Sequence, residues 1–112
     1  AAMLRGEPAT ARAAADAALA IDPADPAALA ISAELAAQID GQPVVARILA
    51  ERAVAADPQR IGSLQVLADV LAEREADSEA MAVLDRALAL DPENAALHAR
   101  RASVLLRQDR FS

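Results

Sequence analysis

ALALDPENAALHA, residues 87–99, places an Asp-Pro dipeptide between two runs of good helix-forming residues. Proline has no N–H to donate inside a helix and moves the preceding residue out of the α region, so Asp91-Pro92 predicts a break between two helices. Similar segments close with the same dipeptide at Asp22-Pro23 and Asp57-Pro58. The three prolines are 35 and 34 residues apart, so the chain is predicted to repeat one structural unit.

A second turn signal lies between these breaks. Gly6-Glu7-Pro8 and Gly41-Gln42-Pro43 combine a glycine, which suits the end of a helix, with a proline, which suits the first turn of the next. The third copy is Glu75-Ala76-Asp77-Ser78, where Asp or Ser is expected to be the N-cap. Each period therefore contains two helices. We predict helices at residues 8–21, 26–39, 43–56, 61–74, 78–90 and 95–108.

The composition predicts an all-α protein. The 112 residues include 33 alanines and 14 leucines, which favour helix, and one aromatic residue, Phe111. This length suits one domain with one continuous core. The predicted fourth helix has an apolar stripe that it could not bury alone, so neighbouring helix pairs must stack. The stripe consists of Leu64, Leu67, Ala68 and Leu71.

The charges and the remaining composition limit the possible partners. All 11 basic residues are arginines, against 17 acidic residues, and the net charge of −6 disfavours nucleic-acid binding. Nine acids lie in residues 57–94, whereas residues 95–112 hold four arginines and one acid. No apolar run has the length of a membrane span, so no membrane insertion is expected. No secretory signal is recognisable and cysteine is absent, which leaves the localisation open, with the cytoplasm favoured over the periplasm.

The helical period, the closing Asp-Pro and small residues at fixed positions resemble the tetratricopeptide repeat. The resemblance implies a right-handed α-solenoid of stacked antiparallel helix pairs that forms one domain, residues 1–112. Its units would be a partial repeat at 1–23, repeats at 24–58 and 59–92, and the first helix of a further repeat at 93–112. The small positions of the family fall on Ala11, Ala18, Ala33, Ala46, Ala53, Ala68, Ala80 and Ala87.

Three single residues carry further expectations. A larger side chain at Ala68 should disturb a close helix contact, whereas Ala76 is expected in an exposed turn. The resemblance places His98, the only histidine, where the family packs a large side chain. We therefore expect a packing role for His98, because it has no second histidine with which to hold a metal.

In the tetratricopeptide family the first helix of each repeat lines a concave groove. Applied here, the resemblance implies a partner-binding groove lined by three columns of residues: Ala30, Gln65 and Ala99; Glu34, Asp69 and Ser103; Gln38, Glu73 and Arg107. Glu34 and Asp69 would form an acidic floor that suits a protein or peptide with basic residues. The family's clamp for a terminal carboxylate uses Lys and Asn, and this chain has no lysine. A merely solvated acidic surface is the alternative.

No catalytic residue, cofactor site or metal site is predicted. The acidic run 73–79 lacks the spacing of a calcium loop, and the three glycines form no phosphate loop. We therefore expect a protein–protein interaction scaffold rather than an enzyme. The alternative is a structural or regulatory repeat segment of a larger multidomain protein or enzyme. It would allow a homo-oligomer in which the basic last helix, with Arg100, Arg101, Arg107 and Arg110, meets acids of another copy head to tail.

Overall fold

Six α-helices joined by short turns form the chain in the computed structural model, which describes residues 7–111 and the side chains of residues 8–109. They are α1 (Glu7–Ile21), α2 (Pro26–Gln38), α3 (Pro43–Ala56), α4 (Ile61–Glu73), α5 (Asp77–Leu90) and α6 (Ala95–Phe111). No strand occurs in residues 7–111, which confirms the all-α class. Five helices agree with the prediction to within one residue at each end, and α6 continues beyond residue 108. The predicted turn residue Gly6 lies outside the described range.

The Asp-Pro breaks at Asp22, Asp57 and Asp91 each end a helix, as predicted. In all three turns the aspartate carbonyl accepts a hydrogen bond from the backbone N–H three residues later, at 3.1–3.2 Å. A fourth dipeptide, Asp25-Pro26, has the opposite role. Asp25 is the N-cap of α2, and its carboxylate accepts from the Ala28 N–H at 3.0 Å. The same dipeptide can therefore end a helix or begin one.

The turns after α2 and α4 share a left-handed residue. Gly41 has a φ of 63°, and Glu75, 34 residues later, has a φ of 59°. Glycine adopts this conformation at little cost, whereas the Cβ of glutamate makes it unfavourable. The start of α5 also differs from the prediction. Its N-cap is Ala76, without a side-chain cap hydrogen bond. Asp77 is already helical, and its carboxylate pairs with Arg107 of α6.

Alanines occupy the contacts between helices. Six of the alanines that the repeat alignment places at small positions are at most 2% exposed: Ala33, Ala46, Ala53, Ala68, Ala80 and Ala87. Ala11 and Ala18 of α1 are half-buried. The six buried alanines share one hydrophobic cluster with Leu29, Leu64, Leu84 and Leu97. The expectation that Ala76 is exposed is wrong, because this residue is half-buried and packs against the cluster.

Each helix contacts the next one along the chain, and α2 also contacts α4. The folded chain measures 42 × 27 × 23 Å. Since α2 reaches both α3 and α4, the first helices of two consecutive predicted repeats lie side by side. Their solvent-facing residues form the site described below.

Helix α6 buries a narrower face than α2 and α4 do. His98 is exposed, and one of its ring nitrogens lies 2.7 Å from the Pro92 carbonyl oxygen. Leu97 and Val104 are buried instead, at 0% and 4% exposure. The aligned residues of α4, Ser63 and Leu64, are both buried, whereas of this pair in α6 Leu97 is buried and His98 is exposed. The packing role predicted for His98 is therefore wrong, because an apolar leucine gains more from burial than an imidazole.

We expect Ala68→Leu to lower the free energy of unfolding by about 1–3 kcal/mol, because the larger side chain overpacks a helix contact. Ala82→Leu makes the same change on the exposed face of α5 and should alter stability by less than about 0.5 kcal/mol. Urea denaturation followed by circular dichroism measures both. Equal losses of stability would contradict the packing described here.

We expect Glu75→Gly to raise the free energy of unfolding by about 0.5–1 kcal/mol, because glycine removes the Cβ from a left-handed position. Gly41→Glu makes the reverse change at the equivalent turn and should lower stability by a similar amount. Thermal melting of the two variants is the measurement. A melting temperature that falls in Glu75→Gly would show that the turn does not need a left-handed residue.

Candidate partner-binding groove

An open cavity of about 230 Å³ lies between α2 and α4. It brings together five of the residues predicted for the groove: Ala30, Glu34, Gln38, Gln65 and Asp69. The wall is completed by small and apolar residues and by two arginines, none of which was predicted. They are Ala27, Ile31, Gly62, Val66, Arg60 and Arg100. The cavity is therefore polar on its floor and partly apolar on its walls.

A second cavity of about 130 Å³ lies beside α6. Ser103 and Arg107, the predicted groove residues of α6, line it together with Asp69. The remaining two predicted residues line neither cavity. Glu73 is exposed at the end of α4, and Ala99 is exposed on α6. The three predicted columns are thus divided between two cavities and the outer surface.

An ion pair between Arg100 and Asp69 separates the two cavities. Arg100 Nε donates to Asp69 Oδ1 at 2.8 Å, and Arg100 Nη2 donates to Asp69 Oδ2 at 3.3 Å. Both residues line both cavities, so the pair forms the wall between them. The prediction placed Arg100 on a basic face and not in the groove. The sequence signal for this ion pair was limited to the excess of arginine in residues 95–112, which follows the excess of acids in residues 57–94.

The other arginines described on that face also pair within the chain. Arg101 Nε lies 3.0 Å from Asp85 Oδ1, and Arg107 donates to the carboxylate of Asp77. These pairs attach α6 to α5. The charge complementarity that suggested a head-to-tail contact between copies is thus used within one chain. The side chain of Arg110 lies outside the described residues.

Glu34 presents a half-buried carboxylate to the first cavity. It forms no hydrogen bond and no ion pair with the residues 8–109 whose side chains are described. Burial raises the pKa of Glu34 above its ordinary value of 4.5, and the negative charge of Asp69 raises it further, while Arg100 lowers it. Glu34 is therefore a half-buried carboxylate of this cavity that forms no ion pair among the described side chains.

Arg60 lies in the wall of the same cavity. Its Nη1 donates to the buried Ser63 Oγ at 3.1 Å. A Cβ at Gly62 would lie 3.0 Å from this nitrogen, so glycine leaves room for the guanidinium. Arg60 forms no ion pair with a carboxylate among the described side chains. It is held by its own helix and does not neutralise the acids of the cavity.

The donor set of these cavities suits binding by charge and hydrogen bonds. Among the described residues, no group of three or more His, Cys, Asp or Glu side chains is arranged to hold a metal ion. Within the same part of the chain, no helix has both the length and the apolar character needed to cross a membrane. What the first cavity offers is an unpaired carboxylate, two amides and an ion pair, all open to solvent.

No protein-family model matches the chain, and no curated protein has a matching sequence. The likeness to the tetratricopeptide repeat therefore depends on the residues themselves. The residues that carry it are Pro23, Pro58 and Pro92, through their spacing, and the buried alanines of α2 to α5.

We expect Glu34→Gln to raise the melting temperature at neutral pH. The folded-state pKa of Glu34 is raised, so folding disfavours its ionised form, and this group lowers stability as pH rises from the ordinary pKa through the raised one. The gain should vanish at about pH 3, well below the ordinary pKa of glutamate, where Glu34 is protonated in both states. Melting curves of both proteins across this pH range test the point. The control is Glu73→Gln, which makes the same change at an exposed position and measures the general effect of losing one charge. A wild-type protein that is more stable than Glu34→Gln at neutral pH would contradict the expectation.

Proposed function

We propose that the chain is a tetratricopeptide-like α-solenoid that binds a segment of a partner protein in a groove along α2, α4 and α6. The observation that carries the proposal is the pairing of equivalent positions at one cavity. Ala30 and Gln65 are 35 residues apart, as are Glu34 and Asp69, and all four line the same cavity. Stacked repeats bring equivalent residues of consecutive units together in this way.

The helix contacts support the same arrangement. Contact between α2 and α4 is expected if the units 24–58 and 59–92 are stacked pairs, because their first helices would then be neighbours. The buried alanines lie on both helices of each pair, from Ala33 and Ala46 to Ala68 and Ala80. A closed bundle would not require small residues to recur with the 34- or 35-residue period.

The partner we propose is a protein segment that carries a basic residue. Its cation would lie against Glu34, which forms no ion pair among the described side chains, and the charge would bring the raised pKa of this carboxylate back down. Gln38 and Gln65 carry both donors and acceptors and could pair with the backbone of an extended segment. Because the groove is preformed by packed helices, the loss of conformational entropy on binding falls mainly on the partner.

Binding of a short arginine-containing peptide tests this function. The probe is a fluorescein-labelled peptide with several arginines in an alanine and glutamine background, and its matched control has citrulline in place of arginine. Fluorescence anisotropy with the full chain should show saturable binding of the arginine peptide that weakens with added salt. The citrulline peptide, which keeps the shape but not the charge, should bind more weakly.

Glu34→Gln should weaken binding of the arginine peptide by about fivefold, equivalent to about 1 kcal/mol, because one charge pair is lost. Glu73→Gln removes the same charge from a residue that lines neither cavity, and its affinity should equal that of the wild type. Anisotropy titrations of the three proteins compare them directly. Equal weakening by both variants would show that only the overall charge matters and would refute the groove.

A further inference from the structure

The pair between Arg100 and Asp69 divides what would otherwise be a longer groove. Both residues belong to the walls of the cavity of about 230 Å³ and of the neighbouring one of about 130 Å³. On one side are Glu34 and Gln65, and on the other is Ser103. Moving the Arg100 side chain away from Asp69 would therefore open the first cavity toward the second.

The geometry of the pair shows which chemical group the acid accepts. The Nε and Nη2 atoms of Arg100 face the two different oxygens of the Asp69 carboxylate, at 2.8 and 3.3 Å. This two-point contact matches the planar fork of a guanidinium, which an ammonium group cannot reproduce. Asp69 is thus already presented as an arginine acceptor, and Glu34 lines the same cavity without an ion pair to any described side chain.

The pair is also exposed enough to be exchanged. The side chains of Arg100 and Asp69 are 37% and 42% accessible, and solvated ion pairs of this kind contribute little to stability. Releasing Arg100 would not detach α6. The helix keeps the buried Leu97 and Val104 and the pairs of Arg101 with Asp85 and of Arg107 with Asp77.

We propose that Arg100 is a displaceable internal ligand of the groove and that the partner segment carries an arginine, which takes its place on Asp69 beside Glu34. This inference rests on the proposed function, because it specifies the group that the groove recognises. In the free chain Arg100 competes with the partner. In the complex Arg100 turns aside, and the two cavities join into one groove that reaches Ser103.

The test compares Arg100→Gln with Arg101→Gln by anisotropy, using the arginine peptide and a matched lysine peptide. Both variants lose one positive charge from neighbouring positions of α6, but Arg101 lines neither cavity. Arg100→Gln should bind the arginine peptide about fivefold more tightly than the wild type does, whereas Arg101→Gln should match the wild type. The lysine peptide should bind every protein more weakly than the arginine peptide does.

A second measurement uses the unaltered chain, so that the result does not depend on how a variant folds. The Nε–H resonance of Arg100, observed by ¹H–¹⁵N NMR, should shift with saturation as the arginine peptide is added, while that of Arg101 stays in place. An affinity in Arg100→Gln no higher than in wild type, or an Arg100 resonance unmoved at saturation, would overturn the displacement. If Glu34→Gln still weakens binding of the arginine peptide in that case, the proposed groove stands without the displacement of Arg100. If the arginine peptide binds neither the wild type nor Arg100→Gln nor Arg101→Gln, both proposals are overturned.

Discussion

The close approach of helices at buried alanines is the constraint on which the rest of the structure depends. At Ala33 and Ala46, and again at Ala68 and Ala80, the side chain between two helices is a methyl group with at most 2% exposure. Small contacts of this kind allow α2 to lie against α3 and α4 at once. The cavity between α2 and α4 exists because these helices are neighbours, so the site is a consequence of the packing.

Much of the fold could be predicted because its signals are local. Proline and glycine act on the residues beside them, so the helix ends at Asp22, Asp57 and Asp91 follow from the sequence alone. The failures involve contacts between distant residues. Asp77 or Ser78 was expected to cap α5, but Asp77 is the first residue of the helix and pairs with Arg107, which is 30 residues away. His98 was aligned by the repeat period, whereas its burial depends on which helices cover that face of α6.

The candidate site could be predicted in part for the same reason. Repeat spacing relates Glu34 to Asp69 without knowledge of the fold, and the two acids do line one cavity. Spacing could not reveal that Asp69 already has a cation, because Arg100 lies 31 residues later and belongs to none of the predicted groove columns. A sequence gives the sign of each charge but not which charges meet. The difference between a paired Asp69 and an unpaired Glu34 therefore becomes visible only in the structure.

Contact between α2 and α4 is the feature that links the alanine packing to the groove, and nuclear Overhauser effects between methyl groups measure it most directly. In a chain with ¹³C-labelled Ala, Leu and Val methyl groups, the account predicts cross-peaks between buried methyls of α2 and those of α4, in addition to those between α2 and α3. A spectrum with cross-peaks between α2 and α3 but none between α2 and α4 would contradict it. In that case the helix pairs would fold without stacking, and the groove would not form.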